Sequence, residues 1–204
     1  KSGSSNANGK TCQLLAGSIK NCHRKPVAET KSIYVFSSVY LTGSSSTKGS
    51  FYFYFKRKKD VGFAAAEFYE KRVLGMMEEI ADREGAWEPF IRGVAATMIQ
   101  EAEEGRFYGC PFSVLGMEIA FSEPDLAAAF LQGLEKIRVL FQTVLRQSGV
   151  PEGKAEGMSR LLLTSYEGYL LQYRLSKDIR WLTWMRDDLS RAKSQSDLVE
   201  SEED

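Results

Sequence analysis

The stretch "TKGSFYFYFKRKKDV", Thr47 to Val61, sets five consecutive aromatic residues between a Thr-Lys-Gly-Ser segment and four basic residues, Lys56 to Lys59. By propensity Phe51 to Phe55 read as a strand, and a strand needs a sheet to join. The chain beyond Asp60 offers none, because its apolar residues recur at helical spacing, so the aromatic run is expected on a short helix or at a helix-to-helix turn. On a helix, Phe51 and Phe55 lie one turn apart and form an apolar anchor. Tyr52, Phe53 and Tyr54 point elsewhere, and two of them carry hydroxyls able to bond phosphate oxygens. Lys48, Ser50 and the basic cluster complete a cationic rim, with Gly49 permitting close backbone approach.

Working outward toward the C-terminus, Val61, Ala64, Ala65, Phe68, Val73, Met76, Met77 and Ile80 keep one helical face to Asp82, where "REGAWEP" breaks the pattern. A second helix is expected from Trp87 to Glu104, ended by Gly105. "YGCPF" forces a corner before a short helix from Ser113 to Phe121. Ser122 is the expected cap of the next helix, with Pro124 in its first turn and Asp125 where the helix dipole favours an acid. Its stripe of Leu126, Phe130, Leu134, Ile137, Phe141, Val144 and Leu145 runs to Gly149. Two more helices, Glu152 to Leu175 and Lys177 to Ala192, close an all-α bundle of about six helices, and the acidic tail 194–204 is expected to be disordered.

Composition narrows the function. The 204 residues are 43% hydrophobic, enough for a substantial core. No apolar run reaches the roughly 18 residues a membrane span requires, and no export signal is evident, so the expected compartment is the cytoplasm without membrane association. Cys12, Cys22 and Cys110 read as free thiols rather than a disulfide framework. His23 is the only histidine, which argues against a metal site, a Cys or Ser nucleophile with an imidazole partner, and hence an enzyme; no cofactor is implied. The formal net charge of zero conceals a partition. Residues 1–60 carry eleven Lys or Arg against Glu29 and Asp60, and the remainder has the opposite imbalance. A basic section joined to an acidic one points to a polyanionic partner for the first alone.

Working toward the N-terminus, residues 1–10, "KSGSSNANGK", are polar and are expected to be mobile or partly of vector origin. Thr11 to His23 has the spacing of a short amphipathic helix. Residues 32–41, "SIYVFSSVYL", favour a strand by propensity and conflict with a helical reading.

At this point "TKGSFYFYFKRKKDVGFAAAEFY" resembles the end of the DNA-binding domain of TetR-type transcriptional repressors: a Ser/Thr-Lys-Gly, two aromatic pairs, a basic linker and the start of an acidic-hydrophobic helix, in that order. "RFYGCPFSVLGMEIA", Arg106 to Ala120, and "YEGYLLQYRLSKDIRWL", Tyr166 to Leu182, are similar to the regulatory domain of the branch containing LmrA and YxaF. The resemblance implies a homodimeric repressor that binds a palindromic double-stranded operator through a helix-turn-helix domain, residues 11–60, and is released by a small hydrophobic or aromatic effector held in residues 61–193. By the resemblance, Thr47, Lys48, Gly49 and Ser50 open the recognition helix, Tyr52, Phe53 and Tyr54 face DNA, and Lys58 meets the phosphate backbone. Residues 24–46 depart from the family pattern: about two residues too many separate Gly43 from Thr47, and the second helix would be the uncharged "IYVFSSVYL". That departure leaves an alternative, a helical ligand-binding or interaction dimer that does not bind DNA.

In the regulatory half, Phe90, Met98, Phe112, Met117, Phe121, Phe130, Tyr166 and Tyr173 are expected on inward faces as core or pocket lining, with Glu167 and Gln172 as polar groups beside them. The resemblance makes the last two helices the dimer interface. Leu161, Ser165, Gly168 and Tyr169 are its expected close-approach face, and Trp181, Trp184 and Met185 its anchors.

Overall fold

The computed structural model describes residues 57–192. They form six helices: α1 (Lys58–Glu84), α2 (Trp87–Glu103), α3 (Pro111–Ile119), α4 (Pro124–Gln147), α5 (Glu152–Ser176) and α6 (Arg180–Ser190). Among the described residues there is no strand, so the all-α expectation for this part of the chain holds. The amphipathic helix expected at 11–23, the ambiguous 32–41 segment, the aromatic run and the tail lie outside the described residues, as do Cys12, Cys22 and His23.

The breaks follow local chemistry. Gly85 ends α1 in the left-handed region at φ 66°, its N–H donating to the Ala81 carbonyl at 2.9 Å. A side chain is rarely stable in that region, which is why the helix stops at "REGAW". Gly105 likewise follows the last turn of α2 at φ 68°. Three boundaries differ from expectation. The short helix begins at Pro111 and ends at Ile119, since a proline suits the first turn. Glu123, not Ser122, precedes the first residue of α4, and the Ser122 hydroxyl instead donates to the Ile119 carbonyl. Lys177 does not start the last helix. It takes a left-handed conformation, φ 60°, that closes α5, and Asp178 then accepts the Arg180 N–H at 2.9 Å to launch α6.

Helix α4 is the central element, packed against α1, α2, α3 and α5, while α6 lies against α2 and α5. Its buried residues Leu126, Phe130, Gly133, Ile137, Phe141, Val144 and Leu145 are those the periodicity selects, except that Leu134 is half-buried and Gly133 is drawn in. The glycine is required there: a Cβ at position 133 would stand 2.4 Å from Cε1 of Phe112, so the ring of α3 lies directly on the α4 backbone. Trp87 ties three helices together. Its N–H donates to Ser148 Oγ and its indole N–H to the Leu189 carbonyl, both at 2.7 Å. No helix among the described residues is long and apolar enough to cross a membrane.

Candidate functional site

Three regions bear on function, and the first is the start of α1. The expected DNA-facing residues Thr47, Lys48, Gly49, Ser50, Tyr52, Phe53 and Tyr54 fall outside the described residues. Lys58 is the first residue of α1. The linker's neighbouring cations serve the protein itself. Arg57 pairs with Asp60 at 2.9 Å, and Lys59 bridges Glu123 at 3.0 Å and also Asp125. Asp125 and Glu123 hold the Lys59 ammonium above its ordinary pKa, and Lys59 in turn holds Asp125 below its own. The reading of the whole basic run as a phosphate-facing rim is therefore corrected at Lys59, which fastens the start of α1 to the start of α4.

The second region is the aromatic interior. Phe141 is its hub, with ring centroids 5.3 Å from Trp87, 6.0 Å from Phe90 and 5.8 Å from Tyr166, all in edge-to-face contact. Of the eight expected lining residues, Phe90, Met98, Phe112, Phe130, Tyr166 and Tyr173 are buried. Met117, at 60% exposure, and the fully exposed Phe121 are not: Met117 lies on the outward side of the short α3, and Phe121 stands beyond its end, in the turn before α4. The Tyr173 hydroxyl donates to the Phe107 carbonyl at 3.1 Å, and the Tyr166 hydroxyl lies 4.0 Å from Met98 Sδ. Gln172 is exposed on α5 and so does not serve as an inner polar group.

Glu167 does. Its Oε1 is buried with no hydrogen-bond partner. Burial pushes the carboxyl above the usual range, opposed only in part by the approach of Ser113 and Cys110. Those neighbours are themselves poorly ionisable. Burial, then the Glu167 charge, raises the free thiol of Cys110 well above its ordinary value, and burial first also raises Tyr166. An unsatisfied buried acceptor costs about 1–3 kcal/mol. Because the folded-state value is raised, the folded chain binds more protons than the unfolded one from about pH 4.5 up to the folded value, so Glu167 makes stability fall as pH rises through that window. The difference in melting temperature between Glu167→Gln and the parent chain is expected to be small in acid and to widen as pH rises, in favour of the variant; a gap that narrows with pH would refute the sign.

The third region is the outward side of α5 and α6. Leu161 and Leu175, at 68% and 74% exposure, lie on the same side of α5 as Gly168, with Leu171 also exposed and Ser165 half-buried. A Cβ at Gly168 would meet nothing within the subunit. On α6, Trp184 is 42% exposed, its ring 5.0 Å from the half-buried Trp181 and capped by the Arg180 guanidinium at 5.8 Å. Tyr169 packs on Trp181 and donates to Asp188, which pushes its pKa up to about 12. Met185 is the exception among the expected interface residues. It is buried, because the α6 stripe of Leu182, Met185 and Leu189 faces the subunit's own core. Leu171 and Leu175 were not singled out from the sequence, although the seven-residue spacing of Leu161, Gly168 and Leu175 marks one face. The sequence also gave no sign of an open groove of about 660 Å³ between α1 and α4, where Leu74, Val139 and Leu140 lie among Glu70, Glu78 and Lys136.

Residues 88–187 match the family model for the C-terminal domain of LmrA/YxaF-like transcriptional regulators. No curated protein is similar enough in sequence to match. Among solved structures, regulatory protein TetR from Rhodobacter sphaeroides is 20% identical, with a TM-score of 0.69, over 90% of this chain and 97% of that one. Reduced NemR from E. coli is 19% identical, with a TM-score of 0.61, at the same coverage. The structural likenesses carry the fold, and the domain match carries the family for the regulatory half: residues 88–187 are an LmrA/YxaF-like C-terminal domain of the TetR type.

Proposed function

We propose that this regulator is a repressor: a homodimer whose N-terminal unit, residues 11–60, binds a palindromic operator, and whose helical unit, residues 61–193, releases it when a small hydrophobic effector enters the aromatic interior. The observation that carries this reading is the LmrA/YxaF-like regulatory domain at 88–187 standing behind a strongly basic first 60 residues. The charge partition supports a polyanionic partner for the N-terminal unit, and Lys48 with Tyr52 supplies a cation and a hydroxyl at the positions the family uses for DNA. The uncovered apolar side of α5 and α6 supports pairing with a second copy, since a surface of exposed leucine and tryptophan is costly in water. The cytoplasm, where operator DNA resides, is the matching compartment.

The test is fluorescence anisotropy with promoter DNA from upstream of the chain's own gene. Lys48→Ala and Tyr52→Phe are each expected to weaken binding while the oligomeric state and the helical circular-dichroism spectrum stay unchanged. Each phosphate or base contact removed costs about 1–3 kcal/mol, roughly 5- to 150-fold. Loss of fold in either variant would make these residues core instead. A helical dimer that binds no DNA at all would select the alternative suggested by the irregular segment 24–46.

A further inference from the structure

The Glu167 carboxyl is the one buried side-chain polar group among the described residues left with an unpartnered oxygen. It leaves α5 toward the start of α3, where the Cys110 thiol and Ser113 approach it. Neither reaches Oε1. Their side-chain hydrogen bonds to the carboxyl leave this oxygen unpartnered; the Ser113 hydroxyl also approaches the Cys110 carbonyl at 3.3 Å, and the adjacent Tyr166 hydroxyl is turned toward Met98. No lysine or arginine is among the groups that act on this carboxyl. Phe112, which precedes Ser113 in α3, and Tyr166 with its neighbour Met98 are buried. Lys136 and Arg138 of α4 are engaged in surface ion pairs with Glu70 and Glu135. An acceptor oxygen buried without a donor is matched by a molecule that brings one.

We propose that Glu167 is the polar anchor of the effector site and that the effector is a hydrophobic organic amine, its apolar body lying between α2, α3 and α5 and its N–H donating to Glu167 Oε1. This rests on the effector-released reading above and adds the chemical class. A carboxylate of the same shape would meet Glu167 and two further weak acids, Cys110 and Tyr166, with no cation to receive it. A neutral hydrocarbon of the same shape would leave Oε1 unpaired, as it is now. Discrimination in favour of the amine therefore comes from a group that both alternatives fail to satisfy.

The experiment is isothermal titration calorimetry on the full chain with benzylamine, tryptamine and 2-naphthylmethylamine, each beside its analogue with a methyl or a carboxylate in place of the amino group. At least one amine is expected to bind about tenfold or more tightly than both of its analogues. Glu167→Gln is expected to remove that preference and to leave the affinity for the methyl analogue unchanged. Equal affinities, a preference that survives in Glu167→Gln, or no binding by any of the three amines would overturn the proposal. A readout without ligand runs beside it. Glu167→Met, which replaces the unpaired carboxyl by an apolar chain of similar length, is expected to raise the melting temperature, whereas a fall would mark the carboxyl as structural and overturn the proposal too. Promoter binding measured on the same samples separates the two levels. Intact DNA binding with no amine preference refutes the anchor alone, and a Glu167-dependent amine preference without DNA binding refutes the repressor reading alone.

Discussion

Phe141→Ala is expected to destabilise the folded chain by about 3–5 kcal/mol, the largest effect of any single substitution considered for this fold. The ring is fully buried and stands in edge-to-face contact with Trp87, Phe90 and Tyr166, so truncation removes its own burial and the support of three other rings. Trp87 in turn holds Ser148 and the last turn of α6, which spreads the loss from α4 to α2 and α6. For a chain of this size the melting temperature is expected to fall by about 10 °C. Phe121→Ala is the contrast. The same chemical change at a fully exposed ring is expected to stay within about 0.5 kcal/mol. Similar losses at the two positions, by thermal or denaturant unfolding, would refute the assignment of the core.

The paired substitution Leu161→Glu and Leu175→Glu is expected to separate the proposed dimer without unfolding the subunit. Both leucines are more than two-thirds exposed in the single chain and lie on one side of α5 with Gly168 between them, so the subunit itself loses little when they change. In a two-fold pairing each substitution enters twice, and four carboxylates would be forced into an apolar contact. Buried anchors of this kind contribute about 2 kcal/mol or more each, so the dissociation constant is expected to rise by about 100-fold or more. Sedimentation equilibrium reads the outcome directly. Operator affinity is expected to fall with it, because each half-site would then be held by a single unit. Met185→Ala, by contrast, is expected to lower stability and leave dimerisation alone, since that side chain lies inside the subunit.

These contrasts show how far the residues alone could lead. Periodicity located every helix from α1 onward and almost the whole buried stripe of α4, because an amphipathic face twenty residues long leaves little freedom of register. It could not say what covers a face. Leu161 and Ile137 are equivalent in a helical pattern, yet one is exposed and the other fully buried. A nine-residue helix has too few turns to define the side of Met117, and Phe121 falls beyond its end, while the resemblance that makes the last two helices an interface does not say which of their large residues face inward, as Met185 does. Polar roles were harder still. The basic run gave no hint that Lys59 would turn back to Glu123 and Asp125, sixty residues further on, since such pairs depend on helix packing rather than local order. Glu167 was visible as a polar residue among apolar ones; that its Oε1 lacks a donor was not.

The central claim, DNA binding through a basic N-terminal unit, is tested most directly by the salt dependence of promoter affinity for the 204-residue chain. If the dimer neutralises about 6–10 phosphates, the affinity is expected to fall by about 10³ or more between 50 and 200 mM salt, along a straight line of log affinity against log salt. An affinity that does not change with salt, or no binding to that DNA even at the lowest concentration, would contradict the account.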